Sequence, residues 1–382
     1  MKPKKITVMF PINILGSGGA EQQLLELVKA IDKTRFKPII VTLYPGAALD
    51  PEVRNIPDTE LLSLNRKGKF DFWILTKMLS LLRHYKVDII QPFLTPSTFF
   101  SMLPALVNHV PVKIVTERGG AWVNSNLGHD IYQKIEDFLT RFADWAIPNS
   151  EAGRKILLDR GIKPERIKVI YNGINFERLK VDQVKVAQIR HQMGLPTDGI
   201  VVGITASLTP AKDHATFLKM ARIVHQAMPE TRFAILGDGT LRQNLENLAK
   251  ELGLESYVTF FGRQQDVGSY VSAFDVFCLC SADHEGCSNA TLEAMALGKP
   301  AVITDIGGNR ELVDDGKTAI MVPSQNPEAL ADGILICLKQ PDHAKDMALR
   351  ARQMVLTRFS LSRMVHDYEQ LYEQAIQQKQ KG

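Results

Sequence analysis

Two hydrophobic periods alternate along this chain. Short apolar runs bounded by glycine, proline or polar residues alternate with stretches whose apolar positions recur every three or four residues, as in strands followed by helices. The runs that predict strands in the first half are KITVMFPIN, FKPIIVTLY, VDIIQPF, VKIVTE and DWAIPNS. Those in the second half are IVVGITAS, TRFAILGDG, VTFFGR, AFDVFCLCS, PAVITD and TAIMVP. The pattern predicts an α/β fold with parallel sheets of the βαβ kind.

The length of 382 residues favours two domains over one. We expect a first doubly wound domain at 1–175 and a second at 195–360, each with a ligand crevice at the carboxyl ends of its strands. The stretch Lys180–Met193 is polar and helical without a broad apolar stripe, and it is interpreted as a linker. The periodic segment at 361–382 predicts a terminal helix that packs back on the first domain.

The cysteines and the absence of long apolar runs narrow the class of protein. Four cysteines in the C-terminal half form no disulfide framework, so we expect a reducing, cytoplasmic location. A metal site from Cys278, Cys280, His284 and Cys287 is an alternative, but Cys278 and Cys280 lie in the apolar run DVFCLC, where thiols usually act as small hydrophobes. The sequence contains no uninterrupted run of about 18 apolar residues, the length that a membrane-spanning helix needs.

Charge is divided unevenly along the chain. The net charge of +4 combines +7 over residues 1–172 with −3 over the remainder. We expect no nucleic-acid partner, since aromatic residues do not interleave with the basic ones. The basic half could instead face an anionic membrane surface at the inner face of the cytoplasmic membrane. The predicted helix at 70–86 mixes aromatic, aliphatic and basic residues, so it is either an interfacial helix or a core helix with a basic outer face.

The segment 281–304 carries the most informative chemistry. It follows an apolar strand, and Ser288 or Asn289 can cap a helix that runs to about Leu297 and stops at Gly298. A helix that starts at the end of a strand directs unpaired N–H groups and its positive dipole end at an anion, so a diphosphate is expected there.

This segment also resembles a known family. HEGCSNATLEAMALGKPAVITDIGGNRELV is similar to the E-x7-E signature of retaining glycosyltransferases of the GT-B fold, fourth family, with Glu285 and Glu293 as the two glutamates. GSGGAEQQLLELV and LTPAKDH resemble further segments of the same family, in the same order. The resemblance implies a GT-B architecture, in which two Rossmann-like domains face a central cleft.

The resemblance also implies roles for individual residues. Glu285 would hold the donor hexose, Glu293 the ribose hydroxyls, and Lys212 would neutralise the diphosphate. The other residues expected to bind the donor are Gly18, Gly19, Ser207, Arg263, Gly286, Cys287, Ser288 and Asn289.

Three features of the sequence depart from familiar patterns. Ser207 stands where many relatives carry an arginine, so Lys212 would carry the phosphate charge alone or with Arg263 or Arg118. After VKIVTE, where many relatives carry a histidine, this chain has Arg118, expected to face the diphosphate or an anionic acceptor, with His129 as a weak substitute. GSGGAE also fits half of a dinucleotide-binding fingerprint, but Glu21 stands where a third glycine is needed.

The function expected from these residues is retaining transfer of a hexosyl unit from a nucleotide-diphosphate sugar to a saccharide or lipid-linked acceptor, in polysaccharide or glycolipid synthesis. No metal or other cofactor is required if Lys212 and the helix dipole supply the positive charge. Eight positions separate Glu285 from Glu293, which fits two parts of one donor better than the carboxylate pair of a hydrolase. The alternatives are a nucleotide-sugar epimerase, a phosphorylase, or a non-catalytic sugar-nucleotide binding protein of the same fold.

Overall fold

The computed structural model describes residues 4–16, 18–68, 71–118, 127–195, 199–283 and 285–381, without the side chains of 127–133. The chain divides into two compact units. One comprises Met1–Gly173 together with Leu361–Gly382, and the other comprises Ile174–Ser360.

The first unit is built on a parallel sheet in the order β3-β2-β1-β4-β5-β6. Its strands are β1 (Ile6–Ile12), β2 (Phe36–Thr42), β3 (Glu60–Ser63), β4 (Ile89–Ile90), β5 (Val112–Glu117) and β6 (Trp145–Pro148). Its helices before residue 173 are α1 (Gly19–Ala30), α2 (Asp50–Arg54), α3 (Trp73–Tyr85), α4 (Ser97–Val107), α5 (Leu127–Thr140) and α6 (Glu151–Asp159). Alternate residues of β1 enter different hydrophobic cores, Val8 and Phe10 one and Met9 another, so both faces of the sheet are covered.

The second unit repeats this architecture with the order β12-β11-β10-β7-β8-β9, again in parallel. Its strands are β7 (Val201–Thr205), β8 (Arg232–Leu236), β9 (Val258–Gly262), β10 (Val276–Leu279), β11 (Ala301–Thr304) and β12 (Ile320–Val322). Its helices are α7 (Gln183–Gln192), α8 (His214–Ala227), α9 (Arg242–Glu251), α10 (Val267–Ser272), α11 (Asn289–Ala296), α12 (Asn309–Leu312), α13 (Pro327–Lys339) and α14 (Pro341–Arg358). The predicted α/β class with two doubly wound sheets is confirmed.

The last helix, α15 (Leu361–Lys381), completes the core of the first unit. Its buried residues join the same hydrophobic cluster as β1 and α1; they are Met364, Val365, Tyr368, Leu371, Tyr372 and Ala375. Arg35, just before β2, pairs with Glu369 and Glu373 on α15 and reinforces the attachment.

The sequence pattern missed one strand of the structure and predicted the helices of two later segments. Strand β3 was not expected, because ELLS is short and only half-buried and therefore lacks an apolar alternation. As predicted, the stretch Lys180–Met193 is helical: it contains α7, whose N-cap Asp182 accepts hydrogen bonds from the backbone N–H groups of Val184 and Lys185. The terminal helix expected at 361–382 is α15, which follows a break after Arg358, where Ser360 forms a parallel bridge with Ile174.

Candidate functional site

Glu285 lies in the loop after β10, and its carboxylate is held from two sides. Oε2 accepts from Lys212 Nζ at 2.5 Å and from the buried Ser281 hydroxyl at 2.6 Å. The carboxylate is itself buried, so it requires such partners. Lys212 and Glu285 are 73 residues apart in the sequence, and the structure brings them into contact.

Lys212 ends a 3-10 turn, Pro210–Lys212, in the loop after β7. Asp213 follows in the left-handed region with φ 44°, and its side chain accepts from the Thr216 backbone N–H to cap α8. The Ala282 N–H donates to the Ala211 carbonyl at 2.9 Å, which ties this turn to the loop that carries Glu285. The Lys212 side chain is only a quarter exposed, so water screens its charge incompletely.

The helix that follows Glu285 starts as predicted. Gly286, Cys287 and Ser288 are buried, α11 begins at Asn289, and the Ser288 hydroxyl accepts from the Thr291 N–H. Gly298 ends the helix with φ 69°. The backbone N–H groups of the first turn and the positive end of the helix dipole therefore lie close to Glu285 in the chain, a favourable arrangement for an anion.

Gly307 packs directly against the backbone of Glu285. It has φ 52°, and a Cβ atom there would lie 2.2 Å from the Glu285 carbonyl oxygen. The next residue, Gly308, donates its N–H to that same carbonyl at 2.8 Å. A glycine is thus required at 307 for two reasons, the backbone conformation and the close approach.

Glu293 lies on α11, only 6% exposed, and forms an ion pair with Arg178. Arg178 belongs to the 3-10 turn Phe176–Leu179, and the sequence did not identify it as a site residue. A cavity of about 450 Å³ adjoins the arginine, lined also by Asp182, Gln265 and Asp266 among others. The only sequence signal for Arg178 was a lone cation beside a predicted domain boundary.

The remaining residues predicted in the second unit are exposed or half-buried. Ser207 follows β7 and Arg263 follows β9, and both are exposed at the carboxyl end of the sheet. Asn289 is half-buried at the first position of α11. Ser207 carries no charge and cannot replace the arginine of many relatives. The cation seen in contact with Glu285 is Lys212.

The glycine loop of the first unit leads into α1. Gly18 is the N-cap residue and Gly19 the first helical residue, both exposed. The Glu21 carboxylate turns back over the loop, since a Cβ on Gly18 would lie 2.5 Å from Glu21 Oε2. The loop is compact, and a larger residue at position 18 would displace the Glu21 side chain.

Arg118 makes its contacts within the first unit. Nη1 donates to Asn172 Oδ1 at 2.9 Å, Nη2 donates to the Tyr368 hydroxyl at 2.6 Å, and the guanidinium lies over the Phe93 ring. These contacts give the arginine a structural role, and its expected role toward a diphosphate or an anionic acceptor stays a prediction. The side chain of His129, the weak substitute, lies outside the described residues.

The alternative metal site has little support among the described residues. Cys278, Cys280 and Cys287 are buried thiols, and Cys278 and Cys280 belong to the core of the second unit. His284 lies outside the described residues. Over the part of the chain that the structure describes, no group of three or more His, Cys, Asp or Glu side chains is placed to hold a metal ion.

Comparison with sequence families covers both units. The family Glycosyl transferases group 1 matches residues 185–354, and Glycosyltransferase Family 4 matches residues 17–178. The lipopolysaccharide core biosynthesis glycosyltransferase LpsE of Rhizobium meliloti is 30% identical over 253 residues, 66% of this chain and 70% of that protein.

Two further proteins resemble more of the chain. The UDP-Gal:alpha-D-GlcNAc-diphosphoundecaprenol alpha-1,3-galactosyltransferase of Escherichia coli is 23% identical, over 79% of each chain. The crystal structure of Anabaena Alr3699/HepE in complex with UDP-glucose superimposes with a TM-score of 0.84 at 22% identity, covering 96% of this chain and all of that one. The superposition with the Anabaena protein shows a similar fold along nearly the whole chain.

Proposed function

Because this chain belongs to the glycosyl transferases group 1 family and is a glycosyltransferase of the GT-B fold, we propose that it transfers a hexosyl unit from a nucleotide-diphosphate sugar to a saccharide or lipid-linked acceptor. Two comparisons support this substrate class. The Escherichia coli relative is named for galactosyl transfer to a diphosphoundecaprenol-linked sugar, and the Anabaena structure holds UDP-glucose. Synthesis of a cell-surface polysaccharide or glycolipid is the corresponding process.

The contact between Lys212 and Glu285, beside the start of α11, carries the proposal. Departure of a nucleoside diphosphate develops negative charge on its β-phosphate, which an ammonium group and a helix N-terminus stabilise. Glu285, held by Lys212 and Ser281, would accept hydrogen bonds from hexose hydroxyls. Glu293 would accept hydrogen bonds from the ribose hydroxyls, and the backbone from Gly286 to Asn289 would bind the diphosphate.

We propose that the transfer retains the anomeric configuration. The bond between the anomeric carbon and the β-phosphate oxygen breaks, and the bond between that carbon and the acceptor oxygen forms on the same face of the sugar. The acceptor proton passes to a phosphate oxygen, so the second product is the protonated nucleoside diphosphate. No side-chain nucleophile takes part. A metal ion is not needed, since Lys212 and the helix N-terminus supply the positive charge.

An assay of both products tests the proposal. UDP-, GDP- and ADP-hexoses are offered with saccharide and undecaprenyl-diphosphate-linked acceptors, in EDTA. We expect nucleoside diphosphate release equal to the new glycosidic bonds, and NMR should show that the anomeric configuration of the donor is preserved. Donor conversion without release of the nucleotide would indicate an epimerase, binding without turnover a non-catalytic protein, and an inverted product would refute retention.

We also propose that the protein is cytoplasmic and associates peripherally with the inner face of the cytoplasmic membrane through its first unit. The support is the start of α3, where Trp73 is 77% exposed and Phe72 48%. Ile74 and Met78 of the same helix are buried in the core, whereas the large exposed apolar side chains of this segment lie at its start. Among the described helices, none is both long and apolar enough to cross a membrane.

A further inference from the structure

Arg178 contacts the carboxylate to which the proposed function assigns the ribose. We infer that Arg178 is a positioning residue for donor binding, which holds the Glu293 carboxylate in the orientation that receives the ribose hydroxyls. The inference rests on the proposed role of Glu293 and adds a residue to the site. The two residues are 115 positions apart, so their contact is created by the fold of the second unit.

Glu293 needs a cationic partner because of where it lies. The residues around it on α11, Leu292, Ala294 and Met295, are fully buried, and the carboxylate itself is almost inaccessible. An ionised carboxylate in such surroundings is costly unless it is paired and hydrogen-bonded. The Arg178 guanidinium supplies the charge, while its own side chain stays 30% exposed.

The segment that carries Arg178 is fixed on both sides of it. Before it, the Ile174 N–H donates to the Phe359 carbonyl at 2.8 Å. After it, the Asp182 N–H donates to the Ser269 hydroxyl at 3.0 Å. Gly268 of α10 packs so closely on this segment that a Cβ there would lie 2.6 Å from the Lys180 carbonyl oxygen. The backbone that carries the Arg178 side chain is therefore held in place by contacts on both sides.

The chemistry of arginine suits this task. A planar guanidinium fixes the plane of a carboxylate through directed N–H bonds, whereas an ammonium group supplies mainly a point charge. Ribose binding through two adjacent hydroxyls depends on where the carboxylate oxygens point. If the ion pair instead competed with the ribose, removal of Arg178 would strengthen nucleotide binding, so the two roles predict opposite changes.

Calorimetric titration with UDP and 2′-deoxy-UDP tests the inference on the full chain. If GDP or ADP binds more tightly than UDP, that nucleotide and its 2′-deoxy form are used instead. The proteins are wild type, Arg178→Met, Arg178→Lys and, as a control, Arg350→Met, which removes a different arginine ion pair of the same unit. A hydroxyl bonded to a charged group should give wild type roughly a tenfold preference for the ribonucleotide.

We expect Arg178→Met to lower that preference to about twofold or less, Arg178→Lys to give an intermediate value, and Arg350→Met to keep the wild-type preference. A structural defect would weaken both ligands equally, and melting curves identify any variant that is unfolded. Arg178→Lys then decides the outcome if Arg178→Met is the unfolded variant. An undiminished preference in a folded Arg178 variant, or tighter nucleotide binding, would overturn the inference. Failure of wild type to bind UDP, GDP or ADP would instead overturn the proposed donor site.

Discussion

Arg118 donates through Nη2 to the Tyr368 hydroxyl at 2.6 Å, which joins the end of β5 to α15 across 250 residues of sequence. Burial raises the pKa of Tyr368, so its hydroxyl stays protonated. The neighbouring Tyr372 donates to Gln91 Oε1 at 2.5 Å. The C-terminal helix is thus attached to the first unit by buried polar contacts as well as by apolar packing.

Replacing Arg118 should therefore destabilise the first unit. Arg118→Leu leaves Asn172 Oδ1 and the Tyr368 hydroxyl without this donor, at a cost of about 2 kcal/mol in the free energy of unfolding. Chemical denaturation measures the loss, and limited proteolysis should cleave α15 earlier than in wild type. Arg154→Leu, which breaks an exposed ion pair of the same unit, is the control. Unchanged stability with lost transfer would mean that Arg118 acts on the substrate.

Lys212→Met should lower kcat by about 100-fold while the protein stays folded, because the diphosphate loses the ammonium group that stabilises its departure. Lys212→Arg should recover part of the activity, since it restores the charge with a different shape. Initial rates at saturating donor measure both. Lys219→Met, an exposed lysine on α8, is the matched control. Near-normal turnover by Lys212→Met would remove Lys212 from the mechanism.

His214, two residues after Lys212, should make the free energy of unfolding depend on pH. Burial, with a smaller contribution from the Lys212 charge, lowers the pKa of His214 from 6.5 to about 4. Both ring nitrogens are buried without a hydrogen-bond partner among the described residues. As the pH is lowered, the His214 side chain gains a proton near pH 6.5 in the unfolded chain but only near pH 4 in the folded one. The free energy of unfolding should therefore decrease by up to roughly 3 kcal/mol as the pH falls from 6.5 to 4.

His214→Leu should flatten this part of the pH profile, as measured by urea denaturation at a series of pH values. His191→Gln, in which an exposed histidine is replaced, should leave the slope as in wild type. If His214→Leu keeps the full slope between pH 6.5 and 4, the dependence arises from other groups.

Trp73→Ser should weaken sedimentation with anionic phospholipid vesicles at low salt, because an exposed indole at the start of α3 inserts at the lipid interface. Leu349→Ser removes an exposed apolar side chain of the second unit and should have no effect. Wild type that does not sediment with these vesicles would refute the membrane proposal, and equal losses in both variants would refute the assignment to α3.

The helix that follows Glu285 could be predicted from local chemistry. Its helix is bounded by Ser288 and Gly298, whose capping preferences operate over one turn of chain. Arg178 could not be assigned from sequence, because its partner is 115 residues away and nothing near Arg178 distinguishes it from an exposed arginine. The contact of Arg118 with Tyr368 could not be predicted for the same reason, since the two residues are 250 positions apart in the sequence. Strand β3 was missed because an edge strand four residues long leaves little periodic signal.

The attachment of α15 has a consequence for the order of folding in the cell. Residues Met1–Gly173 are synthesised before α15. However, six buried residues of the core around β1 and α1 belong to α15. The intervening unit, Ile174–Ser360, has its own hydrophobic core, to which α15 does not contribute. Until α15 follows, the nascent first unit carries an uncovered apolar face, which is the kind of surface that chaperones recognise. A nonsense mutation just before the codon for Leu361 would leave that face permanently exposed.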